Sequence, residues 1–420
     1  MLAYVYYRKV RSLPQLRKAW DKVFENGIKS KSNETRIQVK EFNKKAYQSI
    51  QRIYHHLKKD KFQFLTSKGI AIPRPGKKPR PIVISPLVNR IVQRRILDIL
   101  QEEPKIQEYI LLPTSFGGIK DIEEGRSVRQ AVEIVYRSVM NNGKWFVRSD
   151  ISDFFTRIPK EIVLSKIAEF IPDSKFNALL KDAITVELEN LAMLGANKEL
   201  FPIHDIGVAQ GCCLSPLIGN ILLHDFDTDM NGRGIICIRY IDDFLIIGPS
   251  KKKAMSAFKN AVKFLAKLGL SAYDPLQNSS KADCGETRKQ FEFLGCEILP
   301  GFIRPSRTSR KRLLDKIVEL FGNSARLMLS PQELSRKKMT VIETLTDVNN
   351  IIKGWGNQYS FCNDRALMEY LDKKIDVLLK QYFSRIRSAR NLLKQDPMKM
   401  RRLTGIYLLV DSKSDPIIKS

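Results

Sequence analysis

Apolar residues in the first part of the chain recur at spacings of three and four, the period of one face of an α-helix. The pattern covers residues 13–62 and returns in LVNRIVQRRILDIL (87–100) and RSVRQAVEIVYRSVMNN (126–142), after which Gly143 is a candidate stop. Between these stretches, GIAIPRPGKKPRPIVISP (69–86) predicts two short strands around a turn rich in proline, glycine and lysine. The sequence therefore predicts a largely helical beginning that is interrupted by one β-hairpin.

In the middle of the chain, short apolar runs alternate with helical patterns. Strands are predicted in KWFVRSDISDFF (144–155), IICIRYIDDFLIIG (235–248, a hairpin) and QFEFLGCEIL (290–299, a strand pair). Helices are predicted in PKEIVLSKIAEFI (159–171), SPLIGNILLHDFDTDM (215–230, with Pro216 in its first turn) and KKAMSAFKNAVKFLAKLG (252–269, ending at Gly269). From residue 306 the pattern is helical, with breaks near Pro331, residues 354–356 and Pro397. This order predicts an α+β centre with helical attachments.

Length and composition narrow the class of protein. The 420 residues suffice for two or three packed domains, and 43% hydrophobic with 28% charged residues indicates a soluble globular chain. The sequence contains no apolar run long enough to span a membrane, and its first residues lack the pattern of a signal peptide. The six cysteines are scattered without a C-x-x-C pair, so we expect reduced thiols in a cytoplasmic protein rather than disulfides or a zinc site.

Charge is the most informative bulk property. The chain has 72 Lys and Arg against 45 Asp and Glu, a formal net charge of +27. Residues 301–420 alone carry 24 basic and 12 acidic residues, which is a net +12. Such an excess favours a polyanionic partner, most simply nucleic acid, and the last segment is a candidate for contacts with phosphate backbones. A basic surface that serves solubility is the alternative.

Two adjacent aspartates, Asp242 and Asp243, stand at the centre of the apolar run IICIRYIDDFLIIG. Buried carboxylates are rare because an unpaired buried charge is costly. A hairpin that turns at residues 240–243 would put both at its tip, and Asp150, at the end of another apolar strand, could join them. Three crowded carboxylates stay ionised only beside cations, which predicts Mg²⁺ and phosphoryl transfer on nucleic acid. The alternative is an ordinary turn whose aspartates cap local backbone groups.

The ordered set PRPIVISP, SDISDFF, AQGCCLSP, YIDD and FEFLGC resembles the motifs of reverse transcriptases, and the resemblance covers most of the chain. It implies a right-hand polymerase of the α+β class. The palm would be an antiparallel sheet, the fingers would be helical with a β-hairpin, and the thumb would be helical. The implied limits are fingers at 1–128, palm with the active site at 129–300, and thumb with a C-terminal tail at 301–420.

The same resemblance assigns roles to individual residues. The catalytic, metal-binding carboxylates would be Asp150, Asp242 and Asp243, with Asp242 the stronger candidate for contact with both ions and the Ile151 carbonyl as a further ligand. The nucleotide-binding residues would be Arg74, Arg80, Ile151, Phe155, Gln210, Gly211 and Lys281. Among them, Phe155 would exclude a ribose 2′-hydroxyl, and the arginines would bind phosphate oxygens. Phe293, Leu294 and Gly295 would form the primer grip. Core packing is the alternative for Phe155 and for the primer-grip strand.

Two flanking segments sharpen the resemblance. IPRPGKKPRPIVISPLVNRIVQRRIL and IIKGWGNQYSFCNDRALMEYLDKKIDVLL are similar to group II intron reverse transcriptases, the second to their thumb, called the X or maturase domain. Residues 381–420 lack the His/Cys cluster of an intron endonuclease, and SFGGIKDIEEGRS departs from the usual S-F/Y-G-F-R segment. The chain therefore resembles stand-alone bacterial enzymes related to group II introns, some of them associated with antiphage defence.

The function that this resemblance implies is RNA-directed DNA synthesis by two-metal phosphoryl transfer. The enzyme would copy a dedicated, structured non-coding RNA into cDNA from dNTPs, in antiphage defence and without a membrane partner. Two Mg²⁺ ions would be its cofactors, with Mn²⁺ as a substitute. Two alternatives stay open: an intron maturase that binds RNA as a splicing cofactor, and a template-independent nucleotide polymerase. The template, the priming hydroxyl, the processivity and the oligomeric state are not fixed by the sequence.

Overall fold

The structure is a computed structural model that describes residues 4–30, 32–74, 76–118, 126–203, 205–232, 235–277, 280–393 and 396–411. Residues 119–125 of the SFGGIKDIEEGRS segment and residues 412–420 of the predicted C-terminal tail lie outside the described residues. The chain divides into two compact units, Met1–Glu286 and Thr287–Ser420. The predicted limits of fingers, palm and thumb stay predictions, because this division follows compactness alone. Among the described helices, none is long and apolar enough to cross a membrane.

The first unit packs helices around a sheet. Its helices are α1 (Val5–Val10), α2 (Leu13–Ile28), α3 (Asn33–Lys44), α4 (Ala46–Lys58), α5 (Leu87–Glu102), α6 (Pro104–Ile110), α7 (Val128–Met140), α8 (Phe154–Arg157), α9 (Lys160–Phe170), α10 (Ser174–Ile184), α11 (Ser215–Leu222), α12 (His224–Asn231) and α13 (Lys251–Lys267). Short 3-10 helices cover Leu191–Leu200 and Pro275–Gln277. Its strands are β1 (Lys68–Arg74), β2 (Lys77–Ile84), β3 (Ser115–Phe116), β4 (Trp145–Asp150), β5 (Ile236–Tyr240), β6 (Asp243–Gly248) and β7 (Asp283–Glu286).

The predicted strands and most predicted helices of this unit are confirmed, because their apolar periods match the elements that form. One prediction was wrong: SPLIGNILLHDFDTDM is not a single helix. It divides at Leu223, whose φ of −94° and ψ of 7° separate α11 from α12. Leu223 is fully buried, so the change of direction at this residue lies in the core. The second of the two helices carries Asp227, which becomes important below.

Five strands of the first unit form one sheet in the order β3-β5-β6-β4-β7. The short pairing of β3 with β5 is parallel, and the other pairs are antiparallel. Strand β4 therefore has a partner on each side, and its residues Phe146 and Val147 are buried. The β1–β2 hairpin forms a separate two-stranded sheet. A continuous apolar core joins the sheet to the surrounding helices and fixes the position of the strand ends.

The second unit has its own small sheet and core. Its strands are β8 (Phe291–Phe293), β9 (Cys296–Leu299) and β10 (Phe302–Pro305), in the order β10-β9-β8. Its helices are α14 (Arg307–Leu327), α15 (Pro331–Arg336), α16 (Val341–Gln358), α17 (Arg365–Leu393) and α18 (Pro397–Thr404), followed by a 3-10 helix at Leu409–Asp411. The rings of Phe321 and Tyr382 stack 4.4 Å apart in the core, and the buried Glu297 accepts hydrogen bonds from Arg304 and Arg310.

The predicted helix breaks near Pro331 and Pro397 are confirmed, since each proline begins a helix. The predicted break at residues 354–356 was wrong, because α16 continues through both glycines to Gln358. Glycine weakens a helix by about 1 kcal/mol relative to alanine, which packing of an apolar face can outweigh. Here Val348, Ile352 and Trp355 pack into the core of the second unit on that helix face.

We predict that Gly354→Ala raises the free energy of unfolding by about 0.5–1 kcal/mol, because glycine loses more backbone entropy in a helix. A β-carbon at this position would have open space, with nothing within 4 Å. Chemical denaturation followed by circular dichroism measures the change.

Gly405→Ala is the matched control in the same unit. Gly405 ends α18 with a φ of 94°, and a β-carbon there would collide with the side chain of Thr340. This substitution should lower the free energy of unfolding by more than about 1 kcal/mol. Equal effects of the two substitutions would contradict the assignment of Gly354 to an open helix face.

Candidate active site

The ends of two neighbouring strands bring a pair of carboxylates together. Asp150 is the last residue of β4, Asp243 is the first residue of β6, and the two are direct partners in the antiparallel register. Partners in such a register project from the same face of a sheet, with β-carbons about 4.5–5.5 Å apart. The same Asp243 also pairs with Tyr240 across the β5–β6 hairpin. Both carboxylates therefore lie where the sheet ends.

Ile241 and Asp242 form the two-residue turn between β5 and β6. Ile241 has a φ of 59°, a left-handed conformation that β-branched residues rarely adopt and that costs about 1–3 kcal/mol. Hydrogen bonds hold the turn: the Ile241 amide donates to the Phe116 carbonyl (3.1 Å), and the Ile151 amide donates to the Asp242 carbonyl (2.9 Å). The strained turn is thus fixed to β3 on one side and to the end of β4 on the other.

The carboxylates are crowded and partly desolvated. Burial raises the pKa of Asp243 to about 6, with Asp242 adding to the rise and Arg148 opposing it. Burial also raises the pKa of Asp242, while Arg80 and Arg239 oppose the rise. Asp150 is only 3% exposed, and its Oδ1 is buried without a hydrogen-bond partner among the described residues. Added positive charge near the turn would therefore favour the ionised form of Asp242 and Asp243.

One positive charge is already in contact with the site. Lys281 forms an ion pair with the Oδ2 atom of Asp150, and its ammonium group lies 5.9 Å from the centre of the Tyr273 ring. Lys281 precedes β7, which pairs with β4 through Arg148 and Asp283. The lysine that sequence reasoning assigned to the nucleotide site thus contacts a predicted metal ligand.

Oxygen atoms alone form the candidate metal site, which is the donor set that hard divalent cations prefer. The unpartnered Oδ1 of Asp150 and the raised pKa of Asp243 fit such an ion. No described backbone amide donates to the Ile151 carbonyl, so this oxygen is available as a further donor. In the part of the chain that the structure describes, however, no three His, Cys, Asp or Glu side chains are arranged to hold a metal ion. Asp150 and Asp243 are partners, and Asp242 stands beside them on the turn.

The predicted nucleotide-binding residues differ in what they contact. Arg80 is close enough to Asp242 to oppose the rise of its pKa, whereas the Arg74 guanidinium donates across its own hairpin to the Lys78 carbonyl (2.9 Å). The Gln210 carbonyl accepts from the Val83 amide of β2 (3.0 Å). Gly211 has a φ of 107°, and a β-carbon there would lie 3.1 Å from the Val83 carbonyl oxygen, so only glycine fits this approach.

The adjacent residues Phe154 and Phe155 of α8 differ in burial. Phe154 is 2% exposed and packs in the core, while Phe155 is half-buried with its ring centre 5.3 Å from that of Phe154. The Phe155 carbonyl accepts from the Val208 amide (2.7 Å), which ties α8 to the segment that leads to Gln210. Phe155 is thus partly accessible, and its predicted steric role stays a prediction.

The predicted primer-grip residues lie in the second unit. Phe293 is 1% exposed at the end of β8 and pairs with Cys296 of β9, as expected for a core strand. Leu294 and Gly295 form the turn between these strands with φ values of 49° and 77°. Two-residue hairpin turns favour such positive values because they match the twist of the strands. The primer-grip role of the three residues stays a prediction.

Sequence reasoning missed the buried group that supports the turn. Arg239 of β5 is fully buried, and its guanidinium donates to both carboxylate oxygens of Asp227 at 2.6–3.1 Å. It also donates to Asn220 Oδ1 (2.9 Å), to Ser115 Oγ (2.6 Å) and to the Ile241 carbonyl of the strained turn (2.9 Å). An arginine inside the apolar run IICIRY was the available signal, since buried arginines are rare unless paired.

We predict that Asp227→Asn lowers the free energy of unfolding by about 3–5 kcal/mol, because the buried Arg239 loses its counter-charge. Chemical denaturation of the purified protein measures the change. Glu133→Gln is the control, since Glu133 pairs with Arg137 on the surface of α7 with side chains 47% and 73% exposed. Removal of such a surface pair should cost less than about 1 kcal/mol. Similar losses in both variants would show that the buried pair has no special weight.

Comparison with known proteins adds an independent observation. A sequence profile described as "Reverse transcriptase (RNA-dependent DNA polymerase)" matches residues 72–298, more than half of the chain. Protein YkfC of Escherichia coli K12 is 30% identical over 176 residues, which cover 41% of this chain and 42% of YkfC. The group II intron-encoded protein LtrA of Lactococcus lactis is 28% identical over 155 residues, which cover 36% of this chain and 23% of LtrA. The chain thus matches less than half the length of these curated relatives.

Solved structures with a similar backbone trace include a telomerase from Candida albicans in complex with a fragment of telomeric RNA. The two chains are 12% identical with a TM-score of 0.41, and the match covers 83% of this chain and 62% of the telomerase chain. A Cas6-RT-Cas1–Cas2 complex covers 89% of this chain and 50% of its own, at 13% identity and a TM-score of 0.36. The profile match confirms the predicted polymerase fold of the α+β class, and the similarity to LtrA confirms the predicted relation to group II intron proteins. With the profile spanning the paired carboxylates, the YIDD turn and the Gln210–Gly211 segment, this chain belongs to the reverse transcriptase (RNA-dependent DNA polymerase) family.

Proposed function

We propose that this chain is an RNA-directed DNA polymerase that extends a primer hydroxyl with dNTPs along an RNA template. The observation that carries the proposal is the register pair of Asp150 and Asp243 beside the Asp242 turn, within the segment that matches the family profile. The net charge of +27 suits a polyanionic substrate. The carboxylates at the end of the sheet suit the cations that accompany such a substrate.

The cofactors that we propose are two Mg²⁺ ions, with Mn²⁺ as a substitute, held by Asp150, Asp242, Asp243 and the Ile151 carbonyl. Ions held by these residues would supply the positive charge that an in-line displacement needs at its attacking and leaving oxygens. The unpartnered Oδ1 atom of Asp150 supports the assignment, because a buried carboxylate oxygen without a donor is costly. Lys281 forms an ion pair with Asp150, and we propose that the same ammonium group protonates the leaving pyrophosphate.

The remaining residues would bind and select the nucleotide. Arg80, near Asp242, and Arg74 on the same hairpin would bind triphosphate oxygens through their guanidinium groups. The Gln210–Gly211 segment, fixed to β2 at Val83, would support the base pair that forms. The half-buried ring of Phe155 would reject a ribose 2′-hydroxyl by steric contact and so favour dNTPs.

The double substitution Asp242→Ala with Asp243→Ala should lower dNTP incorporation by about a thousandfold or more. Loss of the metal ligands removes several kcal/mol of transition-state stabilisation, and each 1.36 kcal/mol corresponds to about a tenfold change in rate. The fold should persist, because burial raises the pKa of both carboxyls and their charge does not stabilise it. Primer extension on an RNA template and circular dichroism measure the two effects.

Asp283→Ala is the matched control, since Asp283 is an exposed carboxylate on β7 of the same sheet. It should retain the incorporation of the unchanged protein. Incorporation that survives in the well-folded double variant would overturn the assignment of the site.

For the biological role we propose antiphage defence in the cytoplasm, with a dedicated non-coding RNA as template and cDNA as product. A maturase that binds an intron as a splicing cofactor is the second candidate, favoured by the similarity to the group II intron-encoded protein LtrA.

Sequencing of nucleic acid that co-purifies with the chain should find one structured RNA together with complementary DNA. If the chain holds the RNA only through the cDNA product, then neither RNA nor cDNA should co-purify with the Asp242→Ala, Asp243→Ala variant. A structured intron without cDNA would favour the maturase role over defence. Incorporation that persists after RNase treatment and removal of the template would instead indicate a template-independent polymerase.

A further inference from the structure

Two adjacent cysteines, Cys212 and Cys213, follow the Gln210–Gly211 segment and precede α11. Tight backbone turns hold them: the Cys212 amide donates to the Ala209 carbonyl (3.3 Å), and the Ser215 amide donates to the Cys212 carbonyl (3.3 Å). Both cysteines are free thiols of intermediate exposure. The proposed nucleotide loop is therefore directly followed by a pair of sulfur nucleophiles that have no part in the chemistry described above.

Cys212 borders a cavity of about 310 Å³ inside the first unit. Val83 of β2, Ala209 and Ser215 line the cavity near the thiol, and Phe62 and Phe64 line it elsewhere with their rings in edge contact 5.1 Å apart. A space of this size admits a small organic molecule. Many of its lining side chains are polar, and the carboxylates of Asp182 and Glu187 among them disfavour an anionic reagent over an uncharged one.

The chemistry around Cys212 favours its thiolate. The Cys213 thiol and the backbone amides of Leu214 and Ser215 at the start of α11 hydrogen-bond its sulfur and lower the pKa of Cys212. The same contact and burial raise the pKa of Cys213. Charged groups face the pair from two directions, Arg90 and Arg94 of α5 and the cavity residues Asp182 and Glu187. A thiolate at a helix start is more nucleophilic at neutral pH than a thiol.

Other cysteines of the chain have the opposite environment. Burial raises the pKa of Cys237, which lies inside β5, and that of Cys284 in β7. In Cys296 of β9, the contact with Cys362 and burial raise the pKa. Cys284 is also a free thiol of intermediate exposure, so it provides an internal comparison for the difference in thiolate character.

An adduct on Cys212 would act directly on the loop before it. The Ala209 carbonyl accepts from the Ser215 hydroxyl (2.7 Å), and the Gln210 carbonyl accepts from the Val83 amide (3.0 Å), so the segment has little freedom between β2 and α11. A group attached to the Cys212 sulfur must enter the cavity between these attachments. It would push Gln210 and Gly211 away from β2 or force α11 to shift.

We propose that Cys212 is a covalent modification site for small, uncharged, soft electrophiles, and that its adduct disables the adjoining nucleotide loop. The second half of this inference rests on the proposed polymerase function, while the first half concerns the thiol alone. With a maleimide, the Cys212 sulfur forms a bond to one alkene carbon as the π bond breaks. The other alkene carbon takes up a proton, the thiol proton passes to solvent, and there is no leaving group or change of net oxidation state.

The test uses N-ethylmaleimide on the full chain at neutral pH, with mass spectrometry of cysteine peptides and primer extension on samples taken in parallel. Cys212 should be labelled several times faster than Cys284, because hydrogen bonds lower the pKa of Cys212 whereas burial raises the pKa of Cys284. Incorporation should fall in step with labelling of Cys212. Cys212→Ser and Cys212→Ala should keep incorporation after the same treatment, whereas Cys284→Ser should remain sensitive.

The possible results test the reactive thiol and its effect on the loop separately. Labelling of Cys212 without loss of incorporation, or equal loss in Cys212→Ser, would overturn the link to the loop. Slower labelling of Cys212 than of Cys284 would overturn the site itself. If the untreated protein does not incorporate dNTPs, the proposed function fails, while the labelling rates still decide whether Cys212 is the reactive thiol.

Discussion

Arg239 and Asp227 form an ion pair with side chains that are 0% and 1% exposed, and the geometry of the acidic turn depends on this pair. Burial of two charges costs several kcal/mol each, which is offset only where hydrogen bonds satisfy every donor and acceptor. The Arg239 guanidinium meets that condition, because Nε, Nη1 and Nη2 all donate. One of these bonds is donated to the Ile241 carbonyl, so the buried ion pair helps to hold the strained backbone of the turn in place. A strained conformation persists only where its surroundings fix it.

Electrostatic repulsion is the second constraint on the site. The strand register sets Asp150 opposite Asp243, and the hairpin adds Asp242 beside them. Lys281 compensates one carboxylate through direct contact, and Arg80, Arg148 and Arg239 contribute at longer range. Despite the surplus of positive charge, the Asp150 Oδ1 atom has no hydrogen-bond partner among the described residues. The sheet thus maintains a local deficit of positive charge that a divalent cation would fill.

The sequence determined the elements of the site better than the interactions that support it. The apolar runs that end at Asp150 and that flank Asp242 and Asp243 were sufficient to predict two strands and a hairpin, because alternation and apolarity are local signals. The pairing of Arg239 with Asp227 joins a strand to a helix twelve positions earlier, and no local period records it. The continuous α16 was missed because tertiary packing outweighed the propensity of Gly354 and Gly356. The division at Leu223 had no local signal, because leucine itself favours a continuous helix.

The order of strands has a consequence for the way the chain folds. Strand β4 lies between β6 and β7, yet its partners begin at Asp243 and Asp283, far later in the chain than Asp150. During synthesis from the N-terminus, β4 therefore emerges with both backbone edges unpaired and waits while more than ninety further residues are added. Unpaired apolar strands are sites of aggregation. Helix α13 contacts β4 and β6 but follows both strands in the chain, while α7, which precedes β4, has its main sheet contacts with β5 and β6. The sheet that carries the paired carboxylates can therefore be completed only after Asp283–Glu286 has been synthesised.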